Sequence, residues 1–210
     1  MGLLSLLFTD PRLFILLAGV LLYSVIAHEV SHGWAAYLFG DDTARRYGRL
    51  TFNPASHLDP VGTLMLFLVG FGWARPVPVD YYNLKHSRAA LICVSLAGCA
   101  ANILIAILAL FLLHIGGIGS HPVLSVMLPE VVRVNIILGA FNLIPIPPLD
   151  GSKILMGFLP LRAQEVLSGL EPYGFFLLAA LLFTGLLDPL IVFMQNIIIA
   201  MIAALFGFLK

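Results

Sequence analysis

His28, Glu29 and His32 stand as H-E-x-x-H within "VIAHEVSHGW". On a helix, positions i and i+4 lie one above the other, so both imidazoles can reach a single metal ion. Glu29 is offset by one residue. It can reach a water activated by that metal and take its proton as general base. The spelling is that of a zinc hydrolase. The surroundings are not those of a soluble one: Leu13 to Phe39 contains no Asp, Lys or Arg, and Glu29 is its sole acidic residue. Ionisable side chains inside an apolar span are costly, so three within five positions call for a compensating partner, which a zinc ion would supply. The plain alternative is a chance match or a structural polar cluster.

Catalytic zinc usually takes three protein ligands and keeps one position open. Asp150, in "NLIPIPPLDGSKIL", is the leading third ligand. Pro145, Pro147 and Pro148 prevent a continuous helix there, and Gly151 relaxes the backbone. Irregular backbone at membrane depth is tolerated where it lines a cavity or touches protein. By spacing alone, Asp150 serves equally well as the N-cap of a helix starting near Ser152.

The elements that must position these groups follow from composition. The chain is 60% hydrophobic and 10% charged, and its mean hydropathy is +1.03. A soluble globule of 210 residues would not hide that much apolar surface, so lipid is the solvent for most of it. Net charge is zero, without basic runs or an acidic tail, so nothing points to nucleic acid and no such partner is expected. Leu13–Phe39 and Arg88–His114 read as clear spans. Val61–Trp73 is short and reads as a re-entrant or half-depth segment. Arg75–Asn83 suits an extended β segment. Val131–Ile144 is apolar up to the "PIPPLDGSK" break. Tyr173–Leu187 and Leu190–Leu209 form one bent element or two spans. Cys93 and Cys99 do not share a helix face, so no disulfide is expected between them. The N-terminus fits neither a signal peptide nor the myristoylation pattern.

The fold expected is an all-α polytopic membrane protein with about five transmembrane or half-depth helices (four to six). A short membrane-embedded or interfacial β segment lies near 75–83, and residues 1–210 form one domain. With Val61–Trp73 not crossing, Arg45, Arg46, Arg49, Arg75, Lys85, Arg88, Lys153, Arg162 and Lys210 fall on one side and only Arg12 and Arg133 opposite. That bias makes the richer side cytoplasmic.

Five ordered motifs carry a family resemblance: "HEVSHGWAAYLFGD", "NPASHLDPVGTL", "GWARPVPVDYYNL", "SLAGCAAN" and "FNLIPIPPLDGSKIL". Together they resemble the site-2 protease family, the intramembrane zinc metalloproteases of peptidase family M50, in its compact form without a PDZ domain. One departure is Cys99, where the family's Ala-Gly-Pro-x-x-Asn pattern has proline; a straighter helix is expected there. The resemblance implies one catalytic Zn2+ held by His28, His32 and Asp150, with Glu29 as general base. It implies single-pass transmembrane proteins as substrates, cut in or near the bilayer. It places the protein in a bacterial or archaeal cell membrane, its site opening toward the cytoplasm. Asn102, Asn142 and His57 are further candidates, orienting a ligand or donating to the oxyanion, against plainer roles as helix-packing amides and a turn histidine. Arg75–Asn83 would serve as an edge to which an unwound substrate adds, against a plainer role as a proline-rich connector lying at the interface. Two rival functions are a membrane metal-ion transporter and an inactive scaffold that binds membrane helices.

Overall fold

The computed structural model describes residues 3–69, 73–80, 84, 87–115 and 121–208. Its helices are α1 Leu3–Thr9, α2 Pro11–Leu38, α3 Thr43–Arg46, α4 Pro60–Val69, α5 Arg88–His114, α6 Leu124–Asn142, α7 Asp150–Phe158, α8 Leu161–Phe183 and α9 Asp188–Phe208. Five of them (α2, α5, α6, α8 and α9) are long and apolar enough to cross a membrane. The tail is therefore two helices, and α8 starts well before Tyr173. The joint is the turn at Thr184–Leu187, where Gly185 takes φ +70°, a conformation that glycine adopts without a Cβ penalty.

Local chemistry sets the helix starts. Asp10 accepts from the Leu13 N–H at 3.0 Å, with Pro11 in the first turn of α2. Ser87 accepts from the Ala90 N–H at 3.1 Å at the head of α5. Both satisfy amides that the helix itself leaves open. Helix α4 has ten residues, about 15 Å, half of a hydrocarbon core. This agrees with a segment that does not cross, although residues 70–72 of Val61–Trp73 lie outside the described residues.

Helices α2, α5 and α6 pack on one another, α7 lies against α5, and α9 against α6. The seams use small residues, as membrane helices must when lipid is as apolar as their own side chains. Ala36, Ala90 and Val94 meet between α2 and α5. Ala106, Ala140, Ile198 and Ile202 join α5, α6 and α9. Cys99 is buried within an uninterrupted α5, and neither it nor Cys93 is paired.

The β segment is the expectation to correct. Among the described residues there is no strand; 73–80 runs without regular structure, and 81–83 lie outside the described residues. The physical reason is in its amides. Pro76 and Pro78 have no N–H to give a ladder. The Arg75 N–H goes to the His57 carbonyl at 2.8 Å, the Val77 N–H to Glu29 Oε2 at 2.8 Å and the Asp80 N–H to Asp41 Oδ2 at 2.7 Å. The segment is a strap tied down by two carboxylates and a carbonyl.

Candidate metal centre

His28 lies ten residues before the end of α2 and His32 six, about 15 Å and 9 Å along the axis. The helix ends at Leu38, so both histidines lie in its C-terminal half. Even so, His28 sits well inside a helix about 42 Å long. Both histidines are buried.

Asp150 meets them from the other end of the sequence. Helix α7 begins at Asp150 itself, and Leu149 is the cap residue, with no side-chain capping bond. The carboxylate turns instead to His28 Nε2 at 2.9 Å and His32 Nε2 at 3.0 Å. The two Nε2 atoms are 3.0 Å apart. Gly151 permits this fold-back. A Cβ there would lie 2.2 Å from the Leu143 carbonyl oxygen and 2.5 Å from that of Ile144. Without one, α7 can approach the end of α6 closely enough to aim Asp150 inward.

The far side of each ring is also occupied. His32 Nδ1 is 2.7 Å from the Val94 carbonyl. A carbonyl only accepts, so Nδ1 carries the proton and Nε2 presents a lone pair. His28 Nδ1 is 2.7 Å from Asn102 Oδ1, which sets the same tautomer. Two imidazole lone pairs and a carboxylate oxygen thus converge within 3.0 Å of one another. Three acceptors so placed repel unless a cation or a proton sits among them. Their atoms meet the distance expected of a metal-binding group, and a set of two His and one Asp is of the kind zinc takes. Space is kept open as well: a Cβ on Gly98 of α5 would fall 2.5 Å from His32 Nε2 and 2.6 Å from His28 Nε2.

Glu29 is half-buried beside the cluster, its Oε2 bonded to the Val77 N–H of the strap. Gly33, one turn on, lets the strap come close, since a Cβ there would be 2.8 Å from Val77 Cγ1 and 2.6 Å from Leu50 Cδ2. Arg49 donates to the Arg75 carbonyl at 2.7 Å. Burial, then the charge of Arg75, pulls its guanidinium down from the usual range, while Glu29 opposes the shift. It stays protonated regardless, and a cavity of about 400 Å³ lined by Tyr47, Arg49, Arg75, Pro76 and Pro78 opens along the strap.

The other candidates separate. Asn102 is fully buried against His28. His57 is fully buried but bonds through Nε2 to the Thr51 carbonyl at 2.8 Å and through its own carbonyl to Arg75; it organises the strap's anchor, not the cluster. Asn142 donates to the Leu138 carbonyl of its own helix at 3.0 Å. The amide that does meet Asn102 is Asn135, fully buried, accepting from Asn102 Nδ2 at 2.8 Å. It was legible by the same criterion as the other two, an amide in the apolar run of α6.

Fold and site together define an integral-membrane protein with a buried His–His–Asp cluster of metal-ligand type. The model of Peptidase family M50 matches residues 117–184. The chain is 40% identical over 173 residues to the Bacillus subtilis (strain 168) protein named "Putative zinc metalloprotease YwhC", covering 79% of each chain. It is 31% identical over 180 residues to the Mycolicibacterium smegmatis protein named "Putative zinc metalloprotease Rip2", covering 83% of this chain and 69% of that one. No solved structure matches it. The chain belongs to peptidase family M50, the site-2 protease family, and is a zinc metalloprotease. The transporter and scaffold readings fall with that assignment.

Proposed function

We propose that the protein is an intramembrane endopeptidase that cuts transmembrane segments of single-pass membrane proteins, with one zinc ion held by His28, His32 and Asp150. The observation that carries this reading is the convergence of His28 Nε2, His32 Nε2 and Asp150 Oδ2 within 3.0 Å, with both histidines on a helix long and apolar enough to cross a membrane. When bound there, zinc would polarise the scissile carbonyl and lower the pKa of water toward about 7. Glu29 takes the proton from the attacking water and hands it to the leaving amine. The Val77 N–H holds Glu29 Oε2, which leaves Oε1 to act as the base. Asn102 and the Val94 carbonyl keep both imidazoles turned with Nε2 inward.

The five-span count keeps nine of the eleven Lys and Arg residues on one face, all but Arg12 and Arg133, and that face is taken as cytoplasmic. The His28–His32–Asp150 cluster lies nearer the C-terminal end of α2, on that face. Water and an unwound substrate approach along the strap and its cavity, between Arg49 and Arg75. Residues 1–210 act as one protease domain in a cell membrane. The test is incubation of the purified protein with a model transmembrane substrate, with and without a zinc chelator. Cleavage that a chelator stops and zinc restores is expected. Chelator-insensitive cleavage refutes the zinc mechanism, and cleavage confined to soluble peptides refutes the substrate class.

A further inference from the structure

Ser24, Asn102 and Asn135 form a polar chain between α2, α5 and α6, buried behind His28. Its bonds can be counted atom by atom. The Asn102 Nδ2 group donates to the Ser24 carbonyl at 3.3 Å and to Asn135 Oδ1 at 2.8 Å. The Asn135 Nδ2 group donates to Ser24 Oγ at 2.9 Å and to the Val131 carbonyl at 2.8 Å. All four amide hydrogens have an acceptor.

The direction of this chain is not free. An amide can be turned over, exchanging oxygen for nitrogen, unless its neighbours forbid it. Two of the partners here, the Ser24 and Val131 carbonyls, can only accept. Turning Asn102 over would set its oxygen against the Ser24 carbonyl and the Asn135 oxygen. Turning both amides would set an oxygen against each of the Ser24 and Val131 carbonyls and take from both the hydrogen that they now accept. Each buried polar group left unpaired there is costly. With the amides as they stand, Asn102 Oδ1 must face His28. It then accepts from Nδ1, and His28 Nε2 keeps its lone pair for the metal.

We infer that Asn135 is a positioning residue of the zinc centre: anchored on the Val131 carbonyl and Ser24, it holds Asn102 in the one orientation that fixes the His28 tautomer. It acts through Asn102 and touches neither the metal position nor the reacting atoms. This rests on the zinc-centre reading above. Partners that orient a metal-bound histidine commonly govern about 10- to 100-fold in metal affinity.

The experiment measures zinc dissociation constants of the full-length protein in detergent by competition with a chromophoric chelator. Asn135→Leu and Asn102→Leu should each weaken binding by about 10- to 100-fold. The double variant should match Asn102→Leu alone within about twofold, because both act on one bond. Wild-type affinity in Asn135→Leu, or losses that multiply in the double variant, overturns the inference. Should Asn135→Leu fail to fold, Ser24→Ala is the milder probe: a loss of a few-fold supports the inference, and wild-type affinity overturns it. His28→Ala separates the two levels. If it abolishes zinc binding while Asn135→Leu does not weaken it, only the positioning role fails. If wild-type protein shows no His28-dependent zinc binding, the zinc-centre reading fails and this inference with it.

Discussion

Gly98→Ala puts a single methyl into the metal centre and tests its geometry directly. The new Cβ would stand 2.5 Å from His28 Cε1, 2.5 Å from His32 Nε2 and 2.6 Å from His28 Nε2. Comfortable contact begins near about 3.5 Å, so each ring would have to retreat by roughly 1 Å. Retreat is opposed on the far side, where Asn102 and Val94 hold the rings at 2.7 Å. Overpacking of this kind costs about 1–3 kcal/mol. Metal-free rings can relieve part of that by turning and weakening those bonds. Rings bound to zinc cannot, because their Nε2 atoms must stay together. The cost therefore falls mainly on the loaded state and should weaken zinc binding by about 5- to 150-fold. The substitution also gains about 1 kcal/mol of helix propensity, so the metal-free fold should lose little. Chelator competition reads the affinity, and a thermal melt of metal-free protein reads the fold. Gly19→Ala in α2, with nothing within 4 Å of its Cβ, is the matched control and should bind zinc as wild type does. Unchanged zinc affinity in folded Gly98→Ala would refute the placement of the metal between these two rings.

Glu29→Gln should keep zinc bound and lower kcat by at least about 100-fold, the range of a lost general base; zinc content and cleavage of a transmembrane substrate check both halves. Asp150→Ala should leave less than one zinc per chain after dialysis, since two histidines alone do not complete the usual set of three; elemental analysis reads it. Val77→Pro removes the N–H that Glu29 accepts, and should lower kcat about tenfold with zinc affinity unchanged, a loss near that of one charge-assisted hydrogen bond. His57→Leu breaks the bond to the Thr51 carbonyl and should cost about 1–3 kcal/mol of stability, seen as a lower Tm, without altering zinc affinity.

Much of this site could be read from spelling because its parts are local. H-E-x-x-H on one helix brings His28 and His32 together whatever else the chain does, since the helical repeat alone stacks i on i+4. The run of apolar residues around them fixes membrane immersion for the same reason: hydropathy is summed residue by residue. Spacing alone leaves Asp150 between ligand and cap, because either role suits a carboxylate ahead of Gly-Ser; only the family resemblance favours the ligand. The structure gives the cap position to Leu149 and turns Asp150 to the histidines. Proline and β-branched residues in the strap describe extended backbone but do not say what receives its amides, so they do not distinguish a strand from a connector; here Glu29 and Asp41 receive them.

The sequence by itself determined the solvent, the chemistry and two of the three converging donors, all of which follow from residue type and short-range spacing. Only the tertiary structure decided which distant groups close the site. Asp150 lies 122 positions from His28, Asn135 lies 111 from Ser24 and Val77 lies 48 from Glu29. Contacts across such distances depend on how the helices pack, on where a glycine lets two backbones approach, and on which amide finds which carbonyl. No periodicity along the chain encodes those outcomes.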